Sequence, residues 1–179
     1  TSIDVYSPQL RKEEEKPSQE LKNLRFYVRK RFNISQAGSR THIRVSADDY
    51  YKLYINGSFV GQGPAQGYYT CYYWNEFDVT SFIKDGENEI RADVYYQGLI
   101  NRAYQSGDRR IGFIAELYSG ENCILHTDSS WESAFINGYA PSHIIGLNTM
   151  FSEDFDGRAG ISGWQTCSEI VTDHIFSPY

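Results

Sequence analysis

No stretch of this chain approaches the roughly 20 consecutive apolar residues that a membrane-spanning helix needs. Positive charge is also short. The net charge is −6 and the pI near 5.2, which argues against nucleic acid and anionic membrane surfaces as partners. Cysteine is scarce: Cys71, Cys123 and Cys167 are an odd number with no C-x-x-C spacing. They read as reduced thiols of a cytosolic protein, with secretion left open. Signatures of chemistry are missing too. There is no G-x-S-x-G elbow, since Gly160-Ile161-Ser162-Gly163 lacks the spacing. The GQGPAQG stretch at 61–67 lacks the lysine of a phosphate loop, and its glycines read as bends between two strands. Cys123 and His126 are an isolated pair that a regular strand would point to opposite faces, which speaks against zinc. His42, His126, His143 and His174 stand in no nucleophile motif and read as structural.

What the chain does have is aromatic and glycine content. Aromatics are 16% of its 179 residues, with 15 Tyr and 10 Phe, and 15 Gly punctuate them. That length suits one domain with a sound core, and the profile suits many short strands joined by glycine turns. Alternation carries the fold class. Tyr51, Leu53 and Ile55 oppose Lys52, Tyr54 and Asn56, and Asn56-Gly57 supplies a two-residue hairpin turn. Asp78 to Ile83 reads as one helical turn capped by Asp78, stopped by Asp85-Gly86. Ile90, Ala92, Val94 and Tyr96 then alternate, as do Ile111, Phe113, Ala115 and Leu117 before a turn at Gly120 to Asn122. The expected fold is all-β, an antiparallel β-sandwich.

Three segments follow. Residues 1–23 are a charged lead-in, 24–150 the β-sandwich domain, and 151–179 a closing segment whose Trp164 docks on the sandwich. Within the domain, 143–150 reads as one more strand. Arg29, Lys30, Arg31 and Arg44 read as a basic cluster on an outward strand face. Gln97 to Arg110 is the longest irregular stretch, and a long polar loop between firm strands tends to be functional or mobile.

Several of these pieces together resemble the N-terminal β-sandwich domain of the α-L-rhamnosidases. They are Asn56-Gly57, the Gly61 to Tyr69 loop, Asp78-Val79-Thr80, Gly86-Glu87-Asn88, and Phe155-Asp156-Gly157-Arg158 with Trp164. The shorter pattern of N-G, D-V-T and G-E-N also resembles the galactose-binding-like jelly rolls of β-galactosidase and β-glucuronidase relatives, and marks only a fold. The resemblance spans about residues 25 to 165 and implies that the sandwich is of jelly-roll type and that the parent enzyme removes L-rhamnose with inversion. It implies catalytic carboxylates in a downstream α/α-barrel domain, so none is expected in this chain. One departure stands out: the family often reads G-D-G-W-Y where this chain has Tyr95-Tyr96-Gln97-Gly98.

The residues allow three kinds of function. A sugar surface needs aromatic platforms beside Asn, Gln, Arg and Asp. Tyr95, Tyr96 and Gln97, with Asn101, Arg102 and Arg109 of the loop, are the contact candidates, either for a carbohydrate or for the catalytic domain. Tyr68, Tyr69, Tyr72, Tyr73 and Trp74 form a second aromatic group, half of which must pack inward. This is the reading of a non-catalytic accessory domain, with a rhamnose-containing carbohydrate as partner. A free-standing carbohydrate-binding module is the alternative. Calcium is the one cofactor with candidate ligands, at Asp48, Asp49 and Asp128, although no contiguous calcium loop is present. The third reading is a small hydrolase using Asp154 and Asp156, which an extended chain would place on one face.

Overall fold

Strands form in this chain where apolar side chains recur at every second residue. The computed structural model describes residues 22–35, 40–65, 71–98, 111–140, 142–145, 150–169 and 175–178. In β1 (Leu24–Ile34) Phe26, Val28, Phe32 and Ile34 turn inward. In β2 (Thr41–Asp48) Ile43, Val45 and Ala47 do so, and in β3 (Tyr50–Ile55) Tyr51, Leu53 and Ile55. The main strands continue with β4 (Ser58–Gly63), β5 (Cys71–Asp78), β6 (Gly86–Tyr96), β7 (Gly112–Ser119), β8 (Asn122–His126) and β9 (Glu132–Phe135). Four short ones close the described chain: β10 (Ile144–Ile145), β11 (Met150–Phe151), β12 (Gln165–Thr166) and β13 (Ile175–Pro178).

Two sheets result. One has six strands in the order β12-β9-β1-β6-β3-β4, the other five in the order β13-β5-β2-β7-β8. Among the described residues every pairing is antiparallel except that of β13 with β5. Their inner faces meet over Ile43, Val45, Leu53, Ile55, Ile90, Ala92, Val94, Ala115, Leu117 and Trp131, all at 2% exposure or less. Each large aliphatic side chain so enclosed stabilises the sandwich by about 1.5–3 kcal/mol. No helix occurs among the described residues. The fold is therefore the all-β sandwich of antiparallel sheets that alternation predicts.

The turn motifs are fixed by two side-chain hydrogen-bond groups, one around buried Asn88 and one around Thr80. Asn56 and Gly57 take the positive φ values of 51° and 81° that the hairpin requires. The Asn56 amide donates to Phe82 O at 2.9 Å and to Asn88 Oδ1 at 2.8 Å, and its carbonyl oxygen accepts from Glu89 N at 3.0 Å. Asn88 also accepts from Lys84 N and donates to Lys84 O and Gly86 O. Asp78 accepts from Thr80 N and Thr80 Oγ1, and Thr80 Oγ1 accepts from Thr41 N. The predicted turn at 78–83 is present as a single hydrogen-bonded turn, with Phe82 N and Ile83 N both donating to Val79 O.

Four expectations change. The stretch 143–150 holds two short strands, β10 and β11, paired with each other. Gly61 and Gly63 lie inside β4, where a Cβ would strike the Phe77 ring and the Asn75 amide oxygen, so they serve close packing more than bending. The basic residues do not cluster, because Arg44 lies on β2 in the other sheet. Arg29 pairs with Glu132, Arg31 with Glu89 and Arg44 with Glu76, while Lys30 reaches Ser130. Finally, a bulge in the β7–β8 pairing gives Cys123 and His126 partners Tyr118 and Glu116, which share one face of β7. Both residues thus fall on the same face, against the regular-strand expectation. Cys123 Sγ contacts Leu125 O at 3.5 Å, and no group of three metal-ligating side chains forms among the described residues.

Candidate functional site

Register builds the site on the outer face of the six-stranded sheet. Arg25 on β1, Tyr95 on β6 and Tyr50 on β3 are direct cross-strand neighbours and form one row. The next row runs Tyr27, Asp93, Lys52 and Gln62, from β1 to β4. A third runs Glu132, Arg29, Arg91, Tyr54 and Phe59. Pointing outward follows from parity, since the intervening residues Phe26, Val28, Val94, Ala92, Tyr51 and Leu53 belong to the core.

Guanidinium groups and rings alternate across these rows. The Arg25 guanidinium carbon lies 4.0 Å from the centre of the Tyr95 ring and 4.2 Å from that of Tyr139. Arg91 sits 5.0 Å from the Tyr27 ring and 4.8 Å from Tyr54. Arg29 is 3.6 Å over Trp164, which docks on the sandwich as the sequence predicts. Each such contact is worth about 0.5–1 kcal/mol at an exposed site.

Tyr139 and Phe155 reach this face on an irregular hairpin. Bridges at Ile136–Ile161 and Tyr139–Phe155 hold its arms, and Asp156 N donates to Gly138 O at 2.8 Å. A side chain at Gly138 would collide with Phe155 and the Asp156 carbonyl. In the second arm, between Phe155 and Ile161, Asp156 accepts from Arg158 N, Nε and Nη2, and these bonds hold its carboxyl below the usual range. Asp156 is thus engaged with Arg158, and an ionised carboxylate of this kind does not serve as a general acid.

Between these elements lies a cleft of about 600 Å³, lined in part by Arg25, Tyr27, Tyr50, Lys52, Gln62, Asp93, Tyr95, Tyr139 and Phe155. Its electrostatics centre on Asp93. Asp93 Oδ1 is 3.3 Å from Arg91 Nε, yet neither atom has a well-directed hydrogen bond, and both are enclosed. Arg25 Nε shares that condition. Burial pushes the Asp93 carboxyl up, opposed by Arg91 and Lys52. Burial and the Asp93 charge likewise raise the Tyr27 hydroxyl.

The sequence candidates divide. Tyr95 lies in the cleft, its hydroxyl donating to Asn23 Oδ1 at 3.0 Å. Tyr96 and Gln97 are enclosed at 0% exposure, with Gln97 N donating to Asp49 Oδ2 at 2.6 Å. Parity explains Tyr96, which follows Ile90, Ala92 and Val94 into the core. Asn101, Arg102 and Arg109 lie outside the described residues, as do Tyr68 and Tyr69. In the second aromatic group, Tyr72 donates to Asp48 Oδ2 at 3.1 Å and Trp74 lies under Arg44. Of the calcium candidates, Asp48 and Asp128 line a separate cleft of about 550 Å³ that also includes Trp131, whereas Asp49 turns to Gln97. Asp128 accepts from Ser130 N, and its bonds to Ser130 lower its carboxyl.

Sequence reasoning missed Arg25, Asp93, Arg91 and Tyr139. The outward parity of Arg25, Asp93 and Arg91 was legible, but which strands would stand side by side, and that Tyr139 would return to them, was not.

The fold and this face define an antiparallel jelly-roll module with a polar, aromatic cleft on one outer surface. Residues 36–174 match the family model described as the α-L-rhamnosidase N-terminal domain. The chain belongs to that family. Among solved structures it is similar to the GH78 family rhamnosidase of Bacillus sp. GL1, at 21% identity and a TM-score of 0.73, over 91% of this chain and 18% of that one. The α-L-rhamnosidase of Dictyoglomus thermophilum superposes with a TM-score of 0.66 at 20% identity, over 87% of this chain and 19% of that one. A Streptomyces avermitilis α-L-rhamnosidase complexed with L-rhamnose gives 0.59 at 19% identity, over 87% and 17%. The chain thus spans under a fifth of the length of these enzymes. No curated protein sequence matches it.

Proposed function

We propose that the chain is a non-catalytic accessory domain of an α-L-rhamnosidase-type glycoside hydrolase, and that its outer cleft contacts rhamnose-containing carbohydrate. The parent's catalytic α/α-barrel domain is its second partner in this reading. Family membership supports the accessory role. The observation that carries the sugar contact is the cleft itself. Tyr95, Tyr50, Tyr139 and Phe155 offer ring faces for sugar C–H groups, while Arg25, Lys52, Gln62 and Asp93 offer directed polar groups. Arg25, Arg91 and Asp93 each keep an enclosed polar atom without a well-directed hydrogen bond, although Arg91 and Asp93 pair as ions and Arg25 Nη2 reaches Glu153.

Isothermal titration of the chain with L-rhamnose and rhamnose-containing oligosaccharides tests this, with and without EDTA. Saturable binding that Tyr95→Ala weakens is the expected result. Binding that EDTA removes assigns the contact to a calcium-assisted module. Silence toward every sugar overturns the contact and leaves scaffold alone, while turnover of a nitrophenyl rhamnoside overturns the non-catalytic role.

A further inference from the structure

If the outer cleft is a sugar surface, something on it must distinguish one sugar from another. Asp93 and Lys52 are direct cross-strand partners on β6 and β3. Such partners hold their Cβ atoms about 4.5–5.5 Å apart, close enough for one ligand group to span both side chains. Gln62 follows Lys52 on β4, and Tyr95 and Tyr50 occupy the row alongside. The Asp93 side chain is 27% exposed and lines the cleft, while its enclosed Oδ1 rests against Arg91. Lys52 is exposed.

We infer that Asp93 and Lys52 together read two adjacent free hydroxyls of a neutral sugar ring, whose C–H face lies on Tyr95 and Tyr50. The chemistry of the couple is directional. An ionised carboxylate only accepts and an ammonium only donates, whereas a hydroxyl does both. A vicinal diol laid across the pair donates a proton to Asp93 from one hydroxyl and accepts one from Lys52 at the other. Arg91, two residues along β6 on the same face, holds the carboxylate in place and favours its ionised form against the burial that opposes it. A sugar lacking either hydroxyl covers a charged group without returning the hydrogen bond that water gave it, which weakens binding.

This inference rests on the sugar reading of the cleft, and the test separates the two. Methyl α-L-rhamnoside and its 2-, 3- and 4-deoxy analogues are titrated against the 179-residue chain. Two analogues with adjacent deletions, the 3-deoxy sugar and one neighbour, bind about tenfold more weakly, and the third binds nearly as the parent does. Asp93→Asn and the surface variant Lys52→Met flatten that pattern, while Tyr95→Ala weakens all four sugars alike. A pattern retained in both Asp93→Asn and Lys52→Met overturns the role of the pair and leaves the sugar surface standing. Failure of the unaltered chain to bind any of the four removes the sugar surface and this inference together. Thermal melts of each variant confirm that it is folded, and Lys52→Met keeps the test open should Asp93→Asn unfold.

Discussion

Asn56 Nδ2 donates to Asn88 Oδ1 at 2.8 Å, and this bond ties the β3–β4 hairpin to the turn that opens β6. Residues 32 positions apart in sequence thus share one polar centre beneath the edge of the sandwich. Asn88 is 1% exposed and accepts or donates four side-chain hydrogen bonds in all, so its amide is fully used.

Asn88→Ala leaves the Lys84 N–H, two carbonyls and the Asn56 amide short of a partner. The expected loss of unfolding free energy is about 3 kcal/mol, from several polar groups at about 1–3 kcal/mol each with partial rescue by water. Urea unfolding measures it. A loss below about 0.5 kcal/mol means the centre is dispensable.

Gly61 and Gly57 separate two reasons for glycine. At Gly61 an added methyl meets the Phe77 ring, whereas at Gly57 it meets nothing and only the φ of 81° resists it. Gly61→Ala is expected to cost about 1–3 kcal/mol, with part recovered in the double variant Gly61→Ala/Phe77→Leu. Gly57→Ala is expected to cost about 1 kcal/mol, with no such rescue. Equal recovery of both by Phe77→Leu contradicts the distinction.

The Arg25 guanidinium between Tyr95 and Tyr139 should register as pairwise coupling. A double-mutant cycle of Arg25→Met and Tyr139→Leu is expected to give about 0.5–1 kcal/mol. Chemical unfolding of the four proteins supplies the numbers, and strict additivity rejects the contact as an energetic one.

The carboxylates divide by sign with pH. Burial raises Asp93 in the folded protein, against Arg91 and Lys52 facing it, so its contribution to stability is present at low pH and lost as pH rises through the raised value. Asp93→Asn should therefore gain on the unaltered chain between about pH 4 and pH 7. Asp78 and Asp156 run the other way, held low by Thr80 and Arg158 respectively. Their contribution is present above the ordinary carboxylate value and fades as pH falls below about 4. The cost of Asp156→Asn should shrink in acid. Denaturation series across pH test both, and parallel curves for the two variants contradict the assignment.

Much of the architecture was legible beforehand. Period-two alternation in Tyr51 to Ile55 and Ile90 to Tyr96 named strands and their buried face, because every second side chain points the same way. The same rule places Tyr96 inside, which parity along β6 contained and its aromatic neighbours obscured. The β7–β8 bulge was not legible, because one extra residue breaks parity without any distinctive residue type.

By itself, the order of residues determined the all-β class, the hairpin at Asn56-Gly57 and the turn at Asp78, since these depend on neighbours a few positions apart. Tertiary structure alone decided that Arg25, Asp93 and Lys52 share one cleft with Tyr139. Strand order and the return of the 136–161 hairpin bring those residues together, and both follow from how two sheets bury a common core. Long-range packing chooses which strands become neighbours, and no local pattern encodes that choice.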